Sequence, residues 1–176
     1  MEMHQFCYDR DIRIVLCNLK DSLFPFHKHT HIPDLVYCSK GAIQVELPDL
    51  QQKYIVNQGD FFQIPPNVRH RFANKDIEVE SRYIILQIGE FSIEFFKNIE
   101  EIEPLLANIE PKTRLSSDIF IKDYNADIQY IIEDFKNNRK KEISTEEQAD
   151  IIQALEVFLQ NGYKSKFPEK SYFLSL

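Results

Sequence analysis

Four of the chain's five histidines fall between positions 27 and 70: His27, His29 and His31 together, then His70. His27 and His29 are two residues apart, so on a strand both imidazoles leave the same face. A paired strand that brings His70 alongside would gather three imidazoles at one point, and Asp34 would add a carboxylate. Such a set suits a first-row divalent metal, Zn, Ni, Fe(II) or Mn, and spacing does not choose among them. The alternative is a polar cluster at a barrel mouth that holds water or an organic ligand. His31 shares the face of His29, but Pro33 follows closely, so it reads as a solvated mouth residue. His4 reads as a surface residue without a partner, and no residue is assigned a catalytic role.

The first half of the chain reads as short strands. Asp11 to Cys17, Asp34 to Ser39, Ala42 to Leu47 and Lys53 to Val56 are β-branched or apolar runs broken by Gly, Pro, Asn or Asp. Ser39-Lys40-Gly41 and Asn57-Gln58-Gly59-Asp60 are the turns between them, where Gly takes positive φ without penalty. Phe61 to Ile64 is another strand, ended by Pro65-Pro66-Asn67 because proline cannot donate to a ladder. Within Ile77 to Ile88 the run Tyr83-Ile84-Ile85-Leu86 suits a strand buried on both faces. Regular short strands with turn signals argue for a sandwich or barrel.

After Gly89 the period changes. Phe91, Phe95 and Phe96 make a short helical stripe, and Glu100-Glu101-Ile102-Glu103 reads as a solvated helix start favoured by the helix dipole. Ile128, Ile131, Ile132 and Phe135 fall at i, i+3, i+4, i+7. A further helix opens at Ser144, with Glu147 completing a capping box, and Asn161-Gly162 stops it. Its face carries Ile151, Ile152, Leu155, Phe158 and Leu159. Lys136 to Lys141 reads as a solvated loop between the two helices. The predicted organisation is mainly β with α: a barrel over 1–89, then a helical dimerisation or linker segment over 90–176.

Composition excludes some functions. The net charge of −7 argues against this chain being the main surface for nucleic acid, since basic residues are interleaved with acids. Three cysteines, Cys7, Cys17 and Cys38, lack CxxC spacing and favour a reducing cytoplasm. Cys38 reads as a buried small apolar residue. No apolar run could span a bilayer as a helix. With four glycines there is no phosphate-cradling loop, and no Gly-x-Ser-x-Gly elbow occurs.

The stretch from Phe26 to Asn74 resembles the double motif of the cupins. His27, His29, Asp34 and Gly41 match the first half, with Asp where the family usually has the longer Glu. Gly59, Pro65, His70 and Asn74 match the second, with Asn67 in place of its second Gly. The resemblance implies a cupin β-barrel, or jelly roll. The region 34–72 is further similar to the effector-binding arm of AraC-type transcription regulators. That resemblance implies an effector-sensing and dimerisation domain that relays a small-molecule signal to a DNA-binding half. No helix-turn-helix half follows here, and the apolar end Tyr172-Phe173-Leu174-Ser175-Leu176 reads as a cut within a longer protein. The implied pocket residues are His27, His29, Asp34, Tyr37, His70 and Phe72. A homodimer would meet on Ile151, Leu155, Phe158 and Leu159, although that stripe must first satisfy the chain's own core. A stand-alone metal-dependent cupin enzyme, a dioxygenase or a sugar-modifying catalyst, is the alternative.

Overall fold

The chain is described from a computed structural model, over residues 1–113, 119–120 and 124–163. The apolar tail ending in Leu176 lies outside these residues. The chain divides into two compact units, Met1–Ser116 and Ser117–Leu176. The division falls later than the change of period near Gly89.

The first unit is built from β1 (Glu2–Tyr8), β2 (Ile12–Leu19), β3 (His27–Lys28), β4 (Asp34–Lys40), β5 (Ala42–Leu47), β6 (Gln52–Asn57), β7 (Phe61–Ile64), β8 (Arg71–Asn74) and β9 (Ser81–Ile88). β10 (Glu94–Phe95), β11 (Lys112–Thr113) and the short helix α1 (Ile99–Ile102) complete it. One sheet has the order β1-β2-β9-β4-β7 and the other β11-β6-β5-β8, while β3 pairs with β10. This is the jelly roll that the motif resemblance implies, within the sandwich-or-barrel class that the strand spacing predicts. β1 has no counterpart in the sequence reading, because its alternation is carried by half-exposed residues.

β2 and β9 pair antiparallel, Ile14 opposite Leu86 and Leu16 opposite Ile84. Tyr83, Ile84, Ile85 and Leu86 are all buried, as a run apolar on both faces requires. Ile77 and Val79 are exposed and precede that strand. Gly41 has φ +67, and a Cβ there would come within 2.6 Å of Ser81 Oγ. Asn74 accepts from Ser81 Oγ at 2.5 Å and donates to the carbonyls of Lys20 and Val79. The motif's Gly41 and Asn74 therefore meet at Ser81 and tie strand ends together, away from the histidines.

The segment after Gly89 departs from the helical expectation. Phe95 lies in β10, opposite His27 of β3, so its backbone is extended, and Phe91 and Phe95 are exposed at 40% and 49%. Backbone pairing with β3 replaces helix there, and an i, i+4 spacing of three aromatics does not distinguish the two. The helix that comes next is α1, with Glu100 and Glu101 in its first turn. Phe26, Ile102 and Leu106 pack in one buried cluster that holds this segment against the barrel. Beside it Arg71, 8% exposed, pairs with Glu46 at 2.6 Å and Glu103 at 2.8 Å.

The second unit carries α2 (Asn125–Asn137) and α3 (Thr145–Asn161), with β12 (Ile119–Phe120) pairing parallel to β13 (Gly162–Tyr163). Ile128, Ile131, Ile132 and Phe135 are buried, as their period predicts. The capping box at α3 is present in both directions, Glu147 N–H to Ser144 Oγ at 3.1 Å and Ser144 N–H to Glu147 Oε2 at 2.7 Å. Gly162 ends the helix at φ −84, an extended stop rather than a left-handed one. Arg139 and Lys140 are not merely solvated. Arg139 Nη1 donates to Gln148 Oε1, and Lys140 Nζ reaches Asp134. Ser144→Ala is expected to lower stability by about 1 kcal/mol, read from the midpoint of urea unfolding.

Three of the residues expected to face a partner chain are committed elsewhere. Ile151, Leu155 and Phe158 are fully buried within the chain itself, and only Leu159 keeps partial exposure. An apolar stripe on a helix first satisfies its own fold.

Candidate metal centre

β3 and the start of β8 bring the two histidine segments together. His27 N–H donates to His70 C=O at 3.0 Å and His70 N–H returns the bond at 2.9 Å. The two residues are thus directly opposed and their side chains share a face. The turn before His70 is held by Asn67, whose φ is +64 and whose N–H donates to His29 C=O at 2.6 Å. Asparagine tolerates that left-handed conformation where the motif usually has glycine. Asp34 opens β4 and faces inward from the neighbouring sheet.

The donor atoms of His27, His29, Asp34 and His70 lie within 4.8 Å of one another, and all four residues are buried. Asp34 is long enough to take part. Its Oδ2 is 3.0 Å from His70 Nε2 and its Oδ1 is 3.4 Å from His29 Nε2. Two atoms bound to one ion at about 2.1 Å can be at most roughly 4.2 Å apart. Inward shifts of under about 1 Å would complete the set.

The hydrogen bonds around the ring fix its chemistry. His27 Nδ1 meets Pro25 C=O at 2.9 Å, His29 Nδ1 meets Ser92 C=O at 2.7 Å, and His70 Nδ1 meets Val68 C=O at 2.8 Å. A carbonyl can only accept, so each Nδ1 carries the proton. In the neutral ring each Nε2 is then a lone pair. Backbone carbonyls that orient metal-binding imidazoles in this way are the usual outer shell of such sites. Lone pairs of His29 and His70 aimed at a carboxylate repel unless positive charge lies between them. A proton can supply it, and so can a divalent cation. The residues present therefore fit a metal ion.

The protonation balance of the metal-free site rests on the same contacts. Burial and then neighbouring His70 push His27 down to about 3, against the attraction of Asp34. Burial also opposes charge on His29, but the hydrogen bond and charge of Asp34 outweigh it and hold its pKa above the ordinary value. Burial would raise Asp34, yet its bonds to His29 and His70 hold it well below the carboxylate range. A raised histidine stabilises the fold as pH falls toward its unfolded value. A histidine kept neutral, and a carboxylate kept charged, do the reverse below theirs. Metal-free chain should therefore gain slightly as pH falls toward about 6.5, then lose several kcal/mol between about 6.5 and 3, mostly at His27. Urea unfolding of chelator-treated protein across that range checks this, and a flat profile would contradict it.

Two site residues were not read from the motifs. Gln87 of β9 is 4% exposed, and its Nε2 donates to Asp34 Oδ1 at 2.6 Å. Arg13 of β2 is paired with Gln87 across the ladder and stacks 3.6 Å from the centre of the Phe91 ring. Both are polar residues at inward positions of largely apolar strands, a signal that the alternation carries. A cavity of about 30 Å³ adjoins the centre, lined by His27, His29, Asp34, Phe72, Arg13 and Gln87 among others. That is room for one or two waters. Phe72 is thus where the sequence reading puts it. Tyr37 is not: it is three residues from Asp34 on β4 and points to the opposite face. His31 is exposed, and His4 meets Glu2 at 3.1 Å rather than lacking a partner. Cys38 is buried as expected, and all three cysteines are free.

Residues 19–86 match the family profile described as the cupin domain. The matched stretch lies within the barrel. A stretch of 58 residues is 38% identical to Protein SchB of Streptomyces halstedii, covering 33% of this chain and 40% of that protein. The chain thus matches less than half of that relative's length. Among solved structures it is similar to the polyketide cyclase RemF from Streptomyces resistomycificus, at 19% identity and TM-score 0.43, over 53% of this chain and 65% of that one. It is also similar to KdgF from Halomonas sp., at 22% identity and TM-score 0.44, over 50% and 77%. No helix among the described residues is long and apolar enough to cross a membrane.

Proposed function

We propose that this cupin is the ligand-sensing part of an AraC-type transcription regulator, with a metal-held site whose occupancy is relayed to a DNA-binding half. The chemistry of the cavity wall carries this reading. Beyond His27, His29, Asp34 and Arg13, the titratable groups lining it are Cys17 and Tyr83. Burial pushes the Cys17 thiol up to about 12 and the Tyr83 hydroxyl well above its usual value. Neither exchanges a proton readily near neutral pH, so these two groups favour a wall that surrounds a bound group over one that transfers protons. A unit containing α2 and α3 after the barrel agrees with the AraC resemblance. Dimerisation belongs to this reading, with Leu159 the one member of the expected stripe that keeps exposed surface.

A divalent ion held by His27, His29, Asp34 and His70 would supply Lewis acidity, or electron relay if redox-active. Gln87 would keep Asp34 oriented, and the three carbonyl acceptors would keep each Nε2 turned inward. The same donor set favours a second reading, a metal-dependent cupin enzyme, because four protein donors leave coordination positions open on a six-coordinate ion.

Reading the gene beyond codon 176 separates the two. A helix-turn-helix half in frame, and a full-length product whose operator affinity changes when the site is loaded, is the expected result. A stop codon directly after Leu176 would remove the sensor reading and leave the enzyme.

A further inference from the structure

Arg13 has no acidic partner among the described residues, although it sits in an acidic chain. Its Nε is buried without a hydrogen-bond partner, and so is Oε1 of the neighbouring Gln87. A buried donor left unmade is costly, so such a group calls for an occupant. Its guanidinium carbon lies over the Phe91 ring, 3.6 Å from the ring centre, a contact that limits the freedom of its fork of donors. Arg13 and Gln87 also line a second, larger cavity of about 180 Å³, together with Gln5, Cys7, Asp11 and Phe91. The two residues therefore form the shared wall between the metal centre and a space large enough for a small organic molecule.

We propose that Arg13 and Gln87 form a carboxylate subsite, so that this cupin takes a small organic acid with its carboxylate on Arg13 and a second oxygen toward the metal centre. This rests on the metal reading above and names the ligand class for that site. A planar guanidinium binds a carboxylate through two parallel hydrogen bonds. Gln87 Oε1 is the acceptor for a hydroxyl on such an acid, while its Nε2 stays on Asp34. A neutral amide or ester cannot reproduce the charge-assisted pair. A neighbouring acid must not cancel the attraction: Asp34, whose charge also acts on Arg13, is bonded to His29, His70 and Gln87, and Asp11 is exposed to solvent.

The test uses the full chain loaded with Co(II), whose visible absorption reports its ligands. Uptake of one equivalent is measured first; its failure would sink the metal reading, independently of the acid titrations. Pyruvate, lactate, pyruvamide and lactamide are then titrated. Saturable spectral change with either acid, at least about ten-fold tighter than with its amide, is expected. Arg13→Gln should weaken acid binding by about ten-fold or more and leave the amides unaffected, with Co(II) still taken up at one equivalent per chain. Should that variant unfold, Arg13→Met keeps the aliphatic contact with Phe91, and the acid–amide comparison on the unaltered chain needs no variant. Equal binding of acid and amide, no binding of either acid by the loaded chain, or undiminished acid binding by a folded Arg13 variant would each overturn the proposal.

Discussion

His70→Ala is expected to weaken Zn(II) binding by at least about 100-fold, since loss of outer-shell partners alone costs 10- to 100-fold and His70 is a direct donor. His70 contributes one of the three inward Nε2 atoms and the shorter of the two histidine contacts to Asp34, 3.0 Å against 3.4 Å for His29. Metal that binds only the folded chain at about 100 times its Kd adds roughly 2.7 kcal/mol. For a chain of this size that raises Tm by about 5–10 °C. The unaltered protein should show this rise on adding Zn(II), and His70→Ala should show almost none. His31→Ala is the matched control, because His31 is exposed and outside the donor set. Calorimetric titration and melting curves read both effects. A Zn(II) response that survived in His70→Ala would disprove the donor set.

Glu46→Ala should cost about 3–5 kcal/mol, the usual penalty for stripping one member from a buried ion pair. Glu46 is 5% exposed; its carboxylate accepts from Arg71 Nε and Gln44 Nε2, both at 2.6 Å. Arg71 stacks over Phe26 at 4.2 Å and would keep only Glu103, whose side chain is half exposed. The residual charge is then underpaired in a dry place. A fall in Tm of roughly 6–20 °C is expected. Replacing both partners, Glu46→Leu with Arg71→Met, should cost clearly less, because no charge is left buried. If single and double variants lost the same stability, the penalty would come from packing and not from the stranded cation.

The barrel and its donors were legible because a two-residue repeat and a proline-ended turn leave few arrangements. His27-x-His29 fixes a shared face, and Asn67 before His70 fixes the turn that returns the chain to it. The same alternation places Tyr37 outward once Asp34 is inward, so that residue was assigned against a rule already available. Arg13 and Gln87 were harder. Each is a polar residue within a largely apolar strand, and only the β2–β9 register makes them neighbours. Phe91, Phe95 and Phe96 misled because i, i+4 aromatic spacing on a short segment fits a turn and a two-residue strand equally well. The α3 stripe gave the right helix, but periodicity cannot say whether an apolar face is covered by its own chain or by another.

Three Nε2 atoms and one carboxylate of this barrel are expected to hold a single divalent ion. Zinc K-edge X-ray absorption on tag-free, stoichiometrically loaded protein tests it most directly. The expected spectrum has only nitrogen and oxygen neighbours at about 2.0–2.2 Å, with the outer-shell scattering of three imidazoles. Sulfur at about 2.3 Å, which would bring Cys17 into the site, or a single imidazole with the rest water, would contradict it.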